Sequence, residues 1–221
     1  MPETMTSISA VAFDLDGTLI DSEAGLAASM NAARRELGLP EQSRERLARG
    51  IGWGIRHFVE VSFPELIGAQ VESALACYRK HYEASVRDGS PEMEGATATL
   101  RTLRKQGLPL MLSTNKMERF AHIILAQKGW HDLFDRVVGG DTFVEAKPHP
   151  CMLTCFAHNL PDQNLAGLLF VGDSEVDRAT ARAAGTQFAL LAPEGSDALA
   201  TSPFAISRLD LLVDLTRRNA P

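Results

Sequence analysis

Asp14 and Asp16 stand directly after the apolar run Val11-Ala12-Phe13, separated by Leu15 and followed by Gly17-Thr18. Two carboxylates where a buried strand gives way to a turn read as a reactive loop. In an α/β sheet the carboxyl ends of strands border the crevice where ligands bind, so both side chains would face substrate. Gly17 lets the chain turn sharply, and the Thr18 hydroxyl can hold a phosphate oxygen. The same Asp-x-Asp spacing also describes an ordinary polar strand end.

Three further clusters invite a chemical reading, each with a structural one beside it. Ser113-Thr114-Asn115-Lys116 follows the apolar run Leu108–Leu112, and its hydroxyls could hold a phosphate or cap a helix. Lys147 precedes Pro148, which disfavours helix at the lysine and fixes it in an extended turn, where a lysine is ordinarily solvated. Gly172-Asp173-Ser174, with Asp177 three residues on, closes another apolar run, 168–171. Ser174 can cap the next helix with acids near its amino terminus, and capping leaves Asp173 able to bind a metal.

These clusters need a scaffold. Asp21 and Ser22 can cap a helix whose apolar positions Leu26, Met30, Ala33 and Leu37 recur at helical spacing until Gly38 and Pro40. A strand pattern does not return until Leu108, far more chain than a crossover requires. The interval reads as helical near 43–50, 54–63 and 68–87, predicting an α-helical cap over residues 20–88 and a core formed by 1–19 and 89–221. Between the first two of those segments, Arg49-Gly50-Ile51-Gly52-Trp53-Gly54-Ile55-Arg56-His57 could reach over a pocket or act as a plain hinge. Beyond it the pattern predicts helices near 94–106, 117–128 and 207–218, a helix ending at Ala184, and strands near 108–112, 134–138, 168–171 and 188–191. Strands alternating with helices define an α/β class: a doubly wound, mainly parallel, Rossmann-like core with the cap inserted.

Of 221 residues, 45% are hydrophobic and 23% charged, the balance of an ordinary globular chain with room for one sizeable core and a smaller lobe. A net charge of −6 argues against nucleic acid or an anionic membrane as partner, so attraction for an anion must be local. Cys77, Cys151 and Cys155 form no C-x-x-C pair and fit reduced thiols in a cytoplasmic protein. No signal-like start and no apolar run of membrane-spanning length is present.

The run Phe13-Asp14-Leu15-Asp16-Gly17-Thr18 resembles the first motif of the haloacid dehalogenase-like hydrolases, and the remaining clusters follow in that family's order. The resemblance covers nearly the whole chain and is nearest to the phosphoglycolate phosphatase-like group. It implies that Asp14 attacks phosphorus and that Asp16 serves as acid and base. It also implies that Ser113 or Thr114, with Ser113 preferred, and neighbouring Asn115 contact the phosphoryl group, and that Lys147 neutralises phosphate and nucleophile. Many relatives carry Asp where this chain has His149.

For metal, the resemblance assigns Asp14, the Asp16 carbonyl and Asp173, with Asp177 in support. Two carboxylates ~4 Å apart repel by ~4 kcal/mol at an effective dielectric of 20, before a phosphate arrives. A divalent cation resolves this, and all-oxygen ligands favour Mg²⁺ over zinc. The implied function is hydrolysis of a small phosphorylated metabolite, phosphoglycolate first; Arg56, which follows a glycine loop that could lower onto the pocket, is the candidate to pair with its carboxylate through two parallel hydrogen bonds. The alternatives are a β-phosphoglucomutase-like mutase and a non-catalytic phosphate-responsive binding protein.

Overall fold

Apolar residues with few polar interruptions form short strands that need cover on both faces, and the chain supplies it with parallel strands under helices. The computed structural model describes residues 7–202 and 204–219; the reading of the first six residues lies outside them. Among the described residues the strands are β1 (Ala10–Phe13), β2 (Leu110–Ser113), β3 (Arg136–Val138), β4 (Leu168–Gly172), β5 (Gln187–Leu191) and β6 (Ala205–Ile206). They form one parallel sheet ordered β3-β2-β1-β4-β5-β6. β6 is an element the sequence did not announce, because two residues at a sheet edge carry no readable period.

Side chains alternate across the sheet. Val11, Phe13, Leu112 and Leu169 join one apolar cluster, while Ala10, Ala12, Met111 and Phe170 join the other. From β1 the chain passes to β2 and then β3 on one side, and returns to β4 on the other side of β1. The strand order therefore reverses beside β1, which opens a crevice at the carboxyl ends of β1 and β4. Asp14 and Asp173 stand at those two ends.

Helices α1 (Glu23–Glu36), α2 (Arg44–Ala48), α3 (Ile55–Ser62) and α4 (Ala69–Asp88) lie between β1 and β2. α1 and α4 pack together, with Met30, Ala33, Ala74 and Leu75 buried. Arg34 is buried at the base of this group: its Nε donates to the Pro40 carbonyl at 2.6 Å and its Nη2 pairs with Glu65 at 2.8 Å. The remaining helices are α5 (Ala96–Lys105), α6 (Glu118–Lys128), α7 (Cys151–Thr154), α8 (Glu175–Ala184), α9 (Asp197–Thr201) and α10 (Leu211–Arg218). No helix among the described residues is long and apolar enough to cross a membrane.

Candidate active site

Asp14 follows β1 directly, with its backbone N–H donating to the Val171 carbonyl of β4 at 2.9 Å, so the sheet itself fixes the residue. Its carboxylate is almost fully buried, with Oδ1 2.7 Å from the Lys147 ammonium. Lys147 lies 2.6 Å from Asp177 Oδ1 as well. The other oxygen of Asp177 accepts from the Ser174 hydroxyl at 2.5 Å and from the Ser174 backbone N–H at 3.2 Å. The Ser174 Oγ in turn accepts from the Asp177 N–H, which completes a capping box on α8. Both oxygens of Asp177 are thus in use, and a helix cap also aims the lysine at Asp14.

One oxygen from each of Asp14, Asp173 and Asp177 lies within 4.8 Å of the others. Gly17 adopts φ +79°, and a Cβ there would fall 2.1 Å from Asp173 Oδ2, so only glycine admits Asp173 to this cluster. Burial raises the Asp14 pKa from 3.8 to about 8; Lys147 pulls it down, and Asp177, Asp173 and Asp16 push it up. Burial and the Asp177 charge also raise Asp173, to about 6, against the pull of Lys147. Burial disfavours the charged Lys147, but Asp14 and Asp177 beside it prevail and hold its pKa above the ordinary lysine value. The carboxylates therefore outweigh the single ammonium among them, and an all-oxygen set of this kind fits a hard divalent cation.

Asp16 sits in a second charged group. Its Oδ1 accepts from Ser22 at 2.5 Å and lies 2.9 Å from the Lys116 ammonium. Lys116 also donates to the Tyr82 hydroxyl on α4, with its Nζ 4.7 Å from that ring's centre. The sequence reading made Ser22 a helix cap; the structure places it at the cap position of α1 but gives its hydroxyl to Asp16. Lys116 and Tyr82 were missed. The signal for Lys116 was its place directly after Ser-Thr-Asn; Tyr82 had none, because a Tyr78/Tyr82 pair at i,i+4 reads as packing.

Several sequence assignments are corrected. Ser113 shares a sheet face with Met111, and its hydroxyl donates to the Met152 carbonyl at 3.0 Å, away from the crevice. Thr114, one residue on, lines the cleft instead, and its Oγ1 accepts from the Lys116 N–H, leaving its own proton for a ligand. Asn115 cannot donate to phosphate from its side chain: Nδ2 bonds the Gly52 and Lys147 carbonyls at 2.9 and 3.1 Å, while Oδ1 accepts from the Lys147 N–H. It clamps the lysine loop to the glycine loop. Thr18 is fully buried and donates to Asp173 Oδ1 at 3.3 Å, so it orients a carboxylate where a phosphate contact was foreseen. Arg56 points from the solvent face of α3 to Glu72 at 2.7 Å, with Glu60 one helical turn on, and does not line the cleft.

The glycine loop does reach the cleft: Gly50, Ile51, Gly52 and Gly54 line it opposite Asp14, Asp16, Thr114, Lys116 and Lys147. Ile55, Phe58, Tyr78 and Phe120 complete an apolar wall around a cavity of about 60 Å³. His149 stands apart, its Nδ1 accepting from the Cys151 N–H at 3.3 Å.

A reversed strand order with buried acids at the switch point defines a doubly wound α/β protein whose ligand crevice is built from carboxylates. The chain belongs to the haloacid dehalogenase-like hydrolase family, whose model matches residues 11–191. A phosphoglycolate phosphatase of Chromobacterium violaceum is 40% identical over 185 residues, covering 80% of this chain and 82% of that protein. One from Xanthomonas campestris pv. campestris is 37% identical over 176 residues, covering 80% and 79%. A crystal structure from Haemophilus somnus, described as a predicted phosphoglycolate phosphatase, superposes with a TM-score of 0.87 at 26% identity, covering 96% and 100%. The chain is a phosphatase of this family.

Proposed function

We propose that this enzyme hydrolyses a small phosphorylated organic acid, phosphoglycolate first, through a covalent phosphate on Asp14. The observation that carries this reading is the buried Asp14 carboxylate at the switch point, held 2.7 Å from Lys147 and two residues from a second carboxylate. The named activity of the curated relatives supports the choice of substrate. A narrow cleft with an apolar wall suits a compound of few atoms better than a hexose phosphate.

Asp14 Oδ attacks phosphorus, and the bond from phosphorus to the leaving alcohol oxygen breaks as the aspartyl-phosphate forms. Asp16 gives its proton to the leaving oxygen. In the second half Asp16 takes a proton from water, whose oxygen attacks the same phosphorus and releases phosphate and the Asp14 carboxylate. Lys147 and Thr114 hold the phosphoryl oxygens in both halves. Asp14 and Asp173 carboxylates, with the Asp16 carbonyl, would hold Mg²⁺, and Asp177 supports the site by fixing Lys147. When bound, the ion supplies the positive charge that lets an anionic nucleophile meet a phosphate dianion. Residues 20–88 act as a cap over the 1–19 and 89–221 core, with the glycine loop as the part that meets substrate.

The test is a panel of phosphoglycolate, hexose phosphates and nucleotides, assayed with Mg²⁺ and coupled to acid-quench trapping of ³²P on the protein. Phosphate release from phosphoglycolate with label on Asp14 is expected. Interconversion of sugar-phosphate isomers without release would replace this reading with a mutase.

A further inference from the structure

We infer that the Lys116 ammonium, with the Tyr82 hydroxyl, forms a second anion subsite of the cleft and selects substrates carrying a carboxylate beside the phosphoester. This rests on the phosphomonoesterase reading above and deepens it by naming the residues that recognise the part of the substrate beyond the phosphoryl group.

An ammonium carries three N–H groups. Lys147 gives two to Asp14 and Asp177, and Lys116 gives two to Asp16 and Tyr82. Both lysines line the same cleft, each with one donor to spare for a ligand. Lys147 serves the reacting phosphoryl group through its contact with the nucleophile. Lys116 sits beside the neighbouring carboxylate, so its spare donor is offered to a different part of the molecule.

Tyr82 adds a second donor. Its oxygen accepts from Lys116, which leaves its own O–H free to donate, and burial keeps the phenol protonated by raising its pKa despite the opposing pull of Lys116. The ring is held by stacking on Tyr78 at 5.6 Å and edge-on packing with Phe120 at 5.1 Å, so the hydroxyl stays in place. Of the rest of this wall, Ile51, Ile55 and Phe58 offer no side-chain polar group, and Tyr78 carries an uncharged hydroxyl. A second anionic group on a small substrate therefore meets charge and hydrogen-bond complementarity at Lys116–Tyr82 and desolvation without compensation against the apolar wall.

Lys116 could instead serve only to position Asp16, and the two roles separate by substrate. The measurement is kcat/KM for phosphoglycolate relative to 2-hydroxyethyl phosphate, which replaces the carboxylate by an uncharged CH₂OH of similar size. Wild type is expected to favour phosphoglycolate by ~10-fold or more, the value of one hydrogen bond to a charged group. Lys116→Met is expected to slow both substrates through Asp16 while bringing the ratio near unity, with KM for phosphoglycolate carrying the change. Tyr82→Phe is expected to reduce the ratio a few-fold.

A ratio preserved in Lys116→Met while both rates fall, or a wild type without preference, overturns the subsite and leaves the phosphatase reading standing. If circular dichroism shows Lys116→Met unfolded, Tyr82→Phe decides: a reduced ratio supports the subsite and an unchanged one overturns it. A wild type that hydrolyses neither compound overturns the proposed substrate and this inference together.

Discussion

On the core side of the cleft, Asp14, Asp173, Asp177 and Lys147 are packed at the ends of β1 and β4, each held by backbone or side-chain partners from the sheet, the loop after β1 and α8. On the facing side, Ile51, Ile55, Phe58 and Tyr78, from the segment between β1 and β2, present a mostly apolar surface, while Lys116 at the β2–α6 junction pairs with Asp16 and meets Tyr82 of α4. The core side concentrates negative charge in a buried place, which costs stability while that charge is uncompensated. The facing side carries one ammonium, and that ammonium also touches Asp16. Substitutions on the two sides should therefore differ in how far they change rate and how far they change substrate preference.

The largest expected effect is at the nucleophile. Asp14→Asn keeps the shape and loses the attacking charge, so turnover should fall by roughly 10⁴-fold or more on every substrate. Acid-quench labelling should trap phosphate on wild type and not on the variant. Appreciable turnover in Asp14→Asn would break the comparison at its core side.

Next comes the cation. The folded state raises Asp14 from 3.8 to about 8 and Asp173 to about 6, so it binds these protons more tightly than the unfolded chain. Metal-free stability should therefore fall as pH rises from about 4 towards 8, the direction required when the folded state holds more protons. Mg²⁺, by binding the ionised carboxylates, should raise the melting temperature more at pH 8 than at pH 6, and chelation should abolish activity. An equal shift at the two pH values would break the link between the acidic cluster and the ion.

Asp16→Ala should slow aspartyl-phosphate formation sharply for an alkyl phosphate and less for p-nitrophenyl phosphate, whose leaving group needs little protonation. Equal slowing in pre-steady-state kinetics would remove the acid role. At β2, Thr114→Val should lower kcat/KM by roughly 10²-fold through loss of a phosphoryl contact. Ser113→Ala should leave kinetics near wild type and cost about 1 kcal/mol of stability through the lost bond to Met152. The smallest effect belongs to Arg56→Ala, which removes an exposed pair with Glu72 and should leave kinetics and melting temperature near wild type.

The sequence by itself determined the strands that end in acids, the order of the four clusters, the helices inserted after β1 and the lysine before Pro148. These follow from local facts: apolar runs too short for helices, turn residues at fixed places, and a proline that restricts its neighbour. What only the tertiary structure decided is where each polar side chain spends its hydrogen bonds. Ser113 and Thr114 are adjacent hydroxyls in sequence, and the pleat of β2 sends one to Met152 and the other to the cleft. Arg56 and Lys116 are both cations near plausible pockets, yet α3 turns Arg56 to Glu72 in solvent while the β2–α6 junction buries Lys116 against Asp16. Tyr82 joins that group from α4, 34 positions away along the chain. Partners at such separations are chosen by packing, and no local pattern in the sequence encodes them.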